Sequence, residues 1–495
     1  MKKYIYFMTE GEQWFDCAVK LHQEKVATPV IWLGDDRHYD KAKNFFGDSV
    51  VYRDLILRHR PYKIENIKYE GEKVDFFSSS QYLIAKDRCL KMMDRLDLYG
   101  TFSRIDREAY LNKLSILALK IINESNPDFL LVSEIPHDHP KYLIYQICLY
   151  LNIPVYKFNT WNLAPLLYLQ NVQTNQIIKK STLLNTHFDS KIDLLIENYF
   201  EELVSNPQDY EFSYMKKQRL SSTFKTRFIN FIKNDIIAYL KDIKHNVEML
   251  IRRQYNPINP YRLGFFTRVK IDNKRKLNLK KALNDSVEDY FLNKPYIYFP
   301  LHFEPERTTN PDGDRFHDQI LAILSLRKLL PKNVLIYVKE HPSQILVGSK
   351  GSRGRSPMFY NMLKSISGVK LISHKENNFK LLSNSIFSAT ITGSVALESA
   401  VIGKKSIVFG STWYDDCPNI FKWNENLKYD EIVNHKLKNI DEIKDFFNKQ
   451  RKLYAIPAFQ NGSKMRRFSS FNNEEFMSLQ INGICHLVSQ MIKQI

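Results

Sequence analysis

The stretch NVLIYVKEHP, residues 333–342, decides the reading of the fold. Its first six residues form an apolar run of strand length, and the run stops at Lys339. Pro342 has no N–H to offer a sheet ladder, and it pushes His341 away from helical backbone. A buried strand thus ends by presenting Lys339, Glu340 and His341 at its carboxyl tip. Open α/β sheets bind their ligands at such tips.

Strand-like and helix-like runs alternate on both sides of this stretch. KPYIYFPL precedes it; VKLIS, SATIT and KSIVFG follow, with helical stretches such as DQILAILSLRKLL and MFYNMLKSI between them. Alternation of this kind predicts a parallel sheet with right-handed crossovers. Residues 291–430 are read as one Rossmann-like domain. The runs KYIYFM, TPVIWLG, DFLLVSE and IPVYKF, again separated by helical patterns, predict another at 1–165. Residues 166–290 read as a basic helical insertion or linker, and 431–495 as a helical tail. Within the insertion, Phe224, Phe228, Phe231, Ile232, Tyr239, Leu240, Ile243, Val247 and Leu250 approximate a helical stripe ringed by lysines and arginines. Such a helix either packs its stripe on its own domain or lies on an anionic membrane, and packing is the commoner outcome.

The chain has 495 residues, too many for one ordinary core. With 72 basic and 54 acidic residues its formal charge is +18, which favours anionic partners. No nucleic-acid-binding motif accompanies that charge, and no nucleic-acid partner is expected. Cys17, Cys89, Cys148, Cys417 and Cys485 are far apart and form no C-x-x-C pair, so they read as reduced thiols of a cytoplasmic protein. No segment reads as a transmembrane helix. Any membrane attachment is expected to be peripheral, at the inner face of the cytoplasmic membrane.

Four constellations could carry chemistry. The first is KEHP: His341 could donate to a phosphate and Lys339 could supply fixed charge, although a structural histidine capping a loop fits equally. The second is TITGSVALESA. Gly393 permits close backbone approach, Ser394 could cap the following helix, and free N–H groups at its start make an anion site beside Thr392. Glu398, one turn in, could accept ribose hydroxyls. The third is the polar loop FPLHFEPERTTNPDGDRF, with His302, Glu304, Glu306, Arg307, Thr308 and Thr309 directly after a core strand. The fourth is SEIPHDHP. Glu134 follows the strand and is expected to be partly buried, Asp138 to be more exposed, and either could act as a general base oriented by His137. The spacing of His137 and His139 does not match a zinc site, and no metal is expected. There is no phosphate-binding G-x-x-x-x-G-K-[ST] loop and no G-x-S-x-G elbow.

The run YFPLHFEPERTT…DQ…LP…YVKEHPSQ…GR…FY…TITGSVALESAVIGKKSIVFG..WY resembles the capsular-polysaccharide synthesis glycosyltransferases, the family that includes the Kdo transferases of capsule assembly. The resemblance covers mainly residues 296–414, with weaker support at 128–157. More distantly, the His-Pro and Ser/Thr motifs are similar to bacterial sialyltransferases and teichoic-acid glycerophosphate polymerases. The resemblance implies the GT-B architecture: two Rossmann-like domains facing across a cleft, here with the helical insertion and tail. It implies a transferase moving a sugar from a nucleotide-activated donor, CMP-linked among the candidates, to a bacterial surface polysaccharide or glycolipid without a metal. His341, Thr392, Gly393 and Ser394 would then bind the donor phosphate, with Lys339 beside them. Glu398 would hold the ribose or brace the turn, and Glu306 and Arg307 would sit at the sugar. At this loop the sequence reads Phe303-Glu304-Pro305-Glu306 where the family pattern has Gln before Pro-Glu. The alternatives are a phosphopolyol transferase with a CDP-linked donor and a non-catalytic glycan-binding protein of the same pathway.

Overall fold

The computed structural model describes residues 1–9, 11–34, 37–47, 50–52, 75–96, 103–180, 187–205, 265–306, 308–346 and 351–495, with isolated positions between 236 and 247. Thirteen strands lie among them. They are β1 (Lys2–Phe7), β2 (Ala27–Leu33), β3 (Val51–Tyr52), β4 (Phe129–Val132), β5 (Val155–Thr160), β6 (Leu166–Asn171), β7 (Tyr296–Pro300), β8 (Leu335–Lys339), β9 (Val369–Ile372), β10 (Ser388–Thr390), β11 (Ser406–Val408), β12 (Ile420–Lys422) and β13 (Ile456–Pro457). They form two sheets, and the chain divides into two compact units. Met1–Asn198 with Asn448–Ile495 make the first, and the described residues of Tyr199–Phe447 make the second.

The first sheet runs in the order β13-β6-β5-β4-β1-β2-β3. Its β1, β2, β3, β4 and β5 are parallel, while β6 and β13 are antiparallel additions. Successive side chains of β1 divide between two cores, Ile5 and Phe7 on one face and Tyr4 and Tyr6 on the other. Both faces are therefore covered, as a mainly parallel sheet requires. Helices Ser80–Leu96, Arg104–Ser125 and His139–Tyr150 supply one layer. The other layer pairs helix Glu12–Gln23 with the last helix, Glu474–Ile492, whose Ile484, Leu487, Val488 and Met491 are buried there.

The second sheet is wholly parallel, in the order β12-β11-β10-β7-β8-β9. It is sided in the same way, with Ile297 and Phe299 facing one core and Tyr296 and Tyr298 the other. Tyr296 stacks on Tyr337 of β8 at 4.2 Å between ring centres. Both doubly wound α/β units match the expectation from alternation.

Two features depart from the sequence reading. The first sheet continues past residue 165, because the apolar run LLYLQN forms β6 where a helical insertion was expected to begin. Residues 431–495 are mostly helical, but β13 pairs with β6 and residues from Asn448 onward group with the first unit rather than standing as a tail. The stripe from Phe224 to Leu250 falls for the most part outside the described residues.

Candidate functional site

In the second unit β7 runs on to β8 and β9 on one side, and β10 then starts on the other side of β7. This reversal is the topological switch point at which open α/β sheets bind ligands. Ser388 pairs with Tyr298 and Pro300 with Lys339, so β10, β7 and β8 end level. Adjacent strands are about 4.8 Å apart, which sets the ends of β10 and β8 two such spacings from each other.

His302, just past β7, ties the switch point together. Its Nε2 accepts the Thr392 backbone N–H at 3.2 Å and lies 3.1 Å from the Thr390 hydroxyl. That hydroxyl in turn accepts the Gly393 N–H at 3.2 Å. An accepting Nε2 leaves the ring proton on Nδ1. Burial first, then the nearby His341 and Arg355, push the His302 pKa down to about 3, so the ring is neutral at pH 7. Gly393 is required here, since a Cβ would lie 2.6 Å from the Thr390 hydroxyl.

At the tip of β8 the three residues part company. Glu340 is fully buried; its carboxylate accepts from the His341 N–H at 2.8 Å, from Arg355 Nε at 3.1 Å and from the Tyr360 hydroxyl at 2.8 Å. Arg355 also donates to the His302 carbonyl at 2.9 Å, which couples the two tips. Lys339 is buried and directs its ammonium to the Glu376 carbonyl at 2.6 Å and to the Asn378 side chain. It therefore anchors the loop after β9. His341 caps the short turn Pro342–Gln344, its Nδ1 accepting the Ser343 N–H at 3.1 Å. The proton of its neutral ring is then on Nε2, where no acceptor stands among the described residues. Burial, with Lys339 and Arg355 nearby, pushes its pKa down to about 4. His341 is thus a neutral hydrogen-bond donor at pH 7, not an added positive charge.

The turn after β10 also differs from expectation. Ser394 has helical backbone angles and does not cap helix Val395–Val401; its hydroxyl donates to Glu398 at 2.8 Å. Glu398 braces the turn in this way, and burial raises its pKa. The Thr392 hydroxyl donates to the Thr308 carbonyl at 2.9 Å and the Tyr414 hydroxyl to the Gly393 carbonyl at 2.5 Å. The N–H groups of Ser394 and Val395 donate to nothing among the described residues. In the loop after β7, the Glu306 N–H donates to the Glu304 carboxylate at 3.2 Å. Arg307 lies outside the described residues.

The first unit has its own switch point, between β1 and β4, and SEIPH leaves β4 at that point. Glu134 lies 3.5 Å from His137 Nδ1 and accepts from Asn461 Nδ2 at 3.4 Å. Asp138, expected to be the more exposed of the two acids, is the more buried; its side chain is 10% exposed against 18% for Glu134. The cause is its place at the start of helix His139–Tyr150, where its carboxylate caps the Lys141 N–H at 3.2 Å and pairs with Lys141 Nζ at 3.2 Å.

Several residues of these edges escaped the sequence reading. Arg355 was visible only as the GR pair, and the signal lay in its glycine: a Cβ at Gly354 would come 2.3 Å from the Glu304 carbonyl carbon. Gln344 also escaped it; together with Gln319, which the sequence places on the helix after the polar loop, it laces the loop after β7 through Glu304 and His302. Asn461 and Lys464 come from a region with no motif at all.

No protein-family model and no curated protein matches the chain. Among solved structures, the β-Kdo 2,4 transferase of Thermosulfurimonas dismutans KpsC is 18% identical over 35% of this chain and 53% of that one, with a TM-score of 0.22. The β-Kdo 2,7 transferase of the same KpsC is 11% identical over 67% and 87%, with a TM-score of 0.25. UDP-GlcNAc 2-epimerase from Methanocaldococcus jannaschii is 14% identical over 94% and 98%, with a TM-score of 0.23. At such TM-scores none of these likenesses bears on fold or function, and the assignment of each unit rests on its own strand order.

Proposed function

We propose that the protein is a glycosyltransferase whose second unit binds a nucleotide-activated sugar and whose first unit takes a glycan or glycolipid acceptor. One observation supports this most: three level strand ends at a switch point gather His341, His302 and the Thr392–Ser394 turn on one edge. The free Nε2–H of His341 and the backbone N–H groups of Ser394 and Val395 are preorganised neutral donors suited to a phosphate. Donors of that kind stabilise charge as it develops on a leaving group. The transfer is read as metal-independent, with the leaving phosphate met by these donors. The resemblance of residues 296–414 to capsular-polysaccharide glycosyltransferases supports the same reading. On it, Glu134 is the acceptor's base, with His137 orienting it. No helix among the described residues is long and apolar enough to cross a membrane, and contact with an anionic membrane is read as peripheral.

Hydrogen exchange with CMP, CDP, UDP and GDP, combined with hydrolysis assays on the corresponding linked donors, tests the proposal. Protection at 302–306, 341–346 and 392–398 together with turnover of one sugar nucleotide is the expected result. Protection confined to residues 1–165 would overturn the assignment of the donor unit. Turnover of a CDP-linked polyol in place of a sugar would move the reading to phosphopolyol transfer, and binding without turnover to a glycan-binding protein.

A further inference from the structure

The outer face of the second unit's helical layer takes no part in the strand-end site. Helices Phe265–Ser286, Gln319–Leu329 and Pro357–Ser365 cover one face of the second sheet, where their Leu279, Leu283, Ile320, Ile323, Tyr360 and Leu363 meet Ile297 and Phe299 in one core. The same helices turn a different set of residues outward. Helix positions four and seven apart share a face, and Lys270, Lys274, Leu277 and Lys281 follow that spacing on the side opposite Leu279 and Leu283. On helix Pro357–Ser365, Met358 and Met362 stand one turn apart, away from Tyr360 and Leu363. Leu277, Met358 and Met362 are 69%, 77% and 49% exposed, and Leu321 and Leu324 of the remaining helix are exposed as well.

The charge of this layer is one-sided. Helix Phe265–Ser286 carries seven Lys or Arg and two Asp. Asp272 is paired with Arg353 at 3.3 Å, and Asp285 is exposed. Lys270, Lys274, Lys280 and Lys281 are exposed and form no ion pair among the described residues. Helices Gln319–Leu329 and Pro357–Ser365 contain no acid, and their Lys328 and Lys364 are exposed too. Exposed leucines and methionines alone would suit any apolar partner. Lysines among them select a partner that is both anionic and apolar, with headgroups for the ammonium groups and acyl chains for the side chains between them. Nucleic acid would use the charge and leave the methionines in water. A second copy docked on the same face would set lysine against lysine.

We propose that this face docks the protein on an anionic membrane surface. Lys270, Lys274 and Lys281 meet the lipid phosphates, and Leu277, Met358 and Met362 enter the boundary between headgroups and acyl chains. The face gives a location to the peripheral contact included in the function proposed above, but it stands on its own exposure and charge and not on the transferase reading.

Co-sedimentation of the full-length protein with vesicles tests the proposal, using phosphatidylcholine alone and phosphatidylcholine mixed with phosphatidylglycerol. Binding is expected to the mixed vesicles only, and it should weaken as salt is added. A lysine near such a surface is worth roughly fivefold in binding, so Lys270→Gln/Lys274→Gln/Lys281→Gln should lower it about a hundredfold. Lys436→Gln/Lys449→Gln/Lys452→Gln removes the same charge from exposed positions on other elements and should change binding about threefold or less. All six positions are at the surface, where such changes leave folding nearly untouched. In Met358→Cys, a polarity-sensitive dye attached at position 358 should shift to the blue with the mixed vesicles and not with phosphatidylcholine; the five native cysteines are buried. The proposal falls if the two vesicles bind alike, if the two triple variants bind alike, or if the dye stays in water. It also falls if the first triple variant loses a self-association, seen by sedimentation velocity, while vesicle binding is kept; the face would then belong to a second copy. Docking by the mixed vesicles without turnover of any sugar nucleotide keeps the membrane face and removes the transferase. Turnover without vesicle binding does the reverse.

Discussion

In the second unit, the groups that shape the strand-end edge come from one stretch of chain, from His302 to Tyr414. The first unit's edge is closed by Gln460, which reaches Ser133 across 327 residues. The second edge is deeply braced: Glu340, Arg355, Tyr360, Gln344, Gln319 and His302 form an almost continuous hydrogen-bonded layer beneath it. In the first unit Glu134 faces His137 at 3.5 Å and Asn461, from the strap that follows β13, at 3.4 Å. A braced edge is suited to a ligand group of fixed geometry such as a phosphate. The first edge depends instead on a strap that arrives from the far end of the chain.

The largest effect is expected at Glu340. Its ion pair with Arg355 is essentially buried, at 0% and 3% side-chain exposure. Glu340→Gln leaves the guanidinium buried without its carboxylate. Breaking one side of such a pair costs about 3–5 kcal/mol. Denaturant midpoints should show that loss, and hydrogen exchange should place it in the second unit with the first sheet unaffected. A loss spread evenly over both units would mean that the brace is not local to one edge.

Next is His341. His341→Asn keeps an acceptor for the Ser343 N–H and removes the donor at Nε2. Loss of one preorganised donor lowers turnover by about a hundredfold or more. Transfer should fall by that order while the denaturant midpoint stays close to the parent value. Near-normal transfer would remove His341 from the chemistry and leave it as a cap of the turn Pro342–Gln344.

The two histidines also set a pH dependence whose sign can be worked out. Their folded pKa values, about 3 for His302 and about 4 for His341, lie below the ordinary 6.5. Between those values and 6.5 the unfolded chain binds more protons, so stability rises with pH. The contribution is fully present above 6.5 and is lost as pH falls toward the folded values. Each histidine can contribute a slope of up to about 1.4 kcal/mol per pH unit. Urea midpoints between pH 6.5 and 5 measure it, above the range where carboxylates dominate. The slope should shrink in His341→Asn, and an unchanged slope would mean that His341 is not held neutral by the fold.

What was legible in the sequence follows the same division. Continuous apolar runs and their strand-end punctuation located most of the strands of both sheets, because that signal is local. His341, Gly393 and Glu134 were legible because each stands where a strand stops. Lys339 and Ser394 were seen, but their partners were not: whether a lysine faces a ligand or the Glu376 carbonyl depends on a loop 37 residues away. Arg355 sits between a motif and a helix and pairs with Glu340 only once the chain folds back. Lys464 had no local signal, because its setting is made by Asn162, 302 residues earlier. β6 and β13 were missed for a related reason, since each pairs antiparallel at the margin of the sheet, outside the alternation that marks crossovers.

The smallest effect on stability separates the two acids of SEIPHDHP. Asp138 caps helix His139–Tyr150 and pairs with Lys141, so both its oxygens are already engaged by groups of its own helix. Glu134 instead faces His137 and the strap from the far end of the chain. If Asp138 is a cap and no more, Asp138→Asn should be close to neutral, because Asn caps nearly as well, and Asp138→Ala should cost about 1 kcal/mol. Neither should change transfer in a folded sample. Glu134→Gln should do the reverse, leaving the denaturant midpoint nearly unchanged while acceptor-dependent transfer collapses and nucleotide affinity is retained. If Asp138→Asn abolished transfer while Glu134→Gln spared it, the two roles would have to be exchanged. The base would then be the acid bound to the helix, and the strap would reach only a bystander.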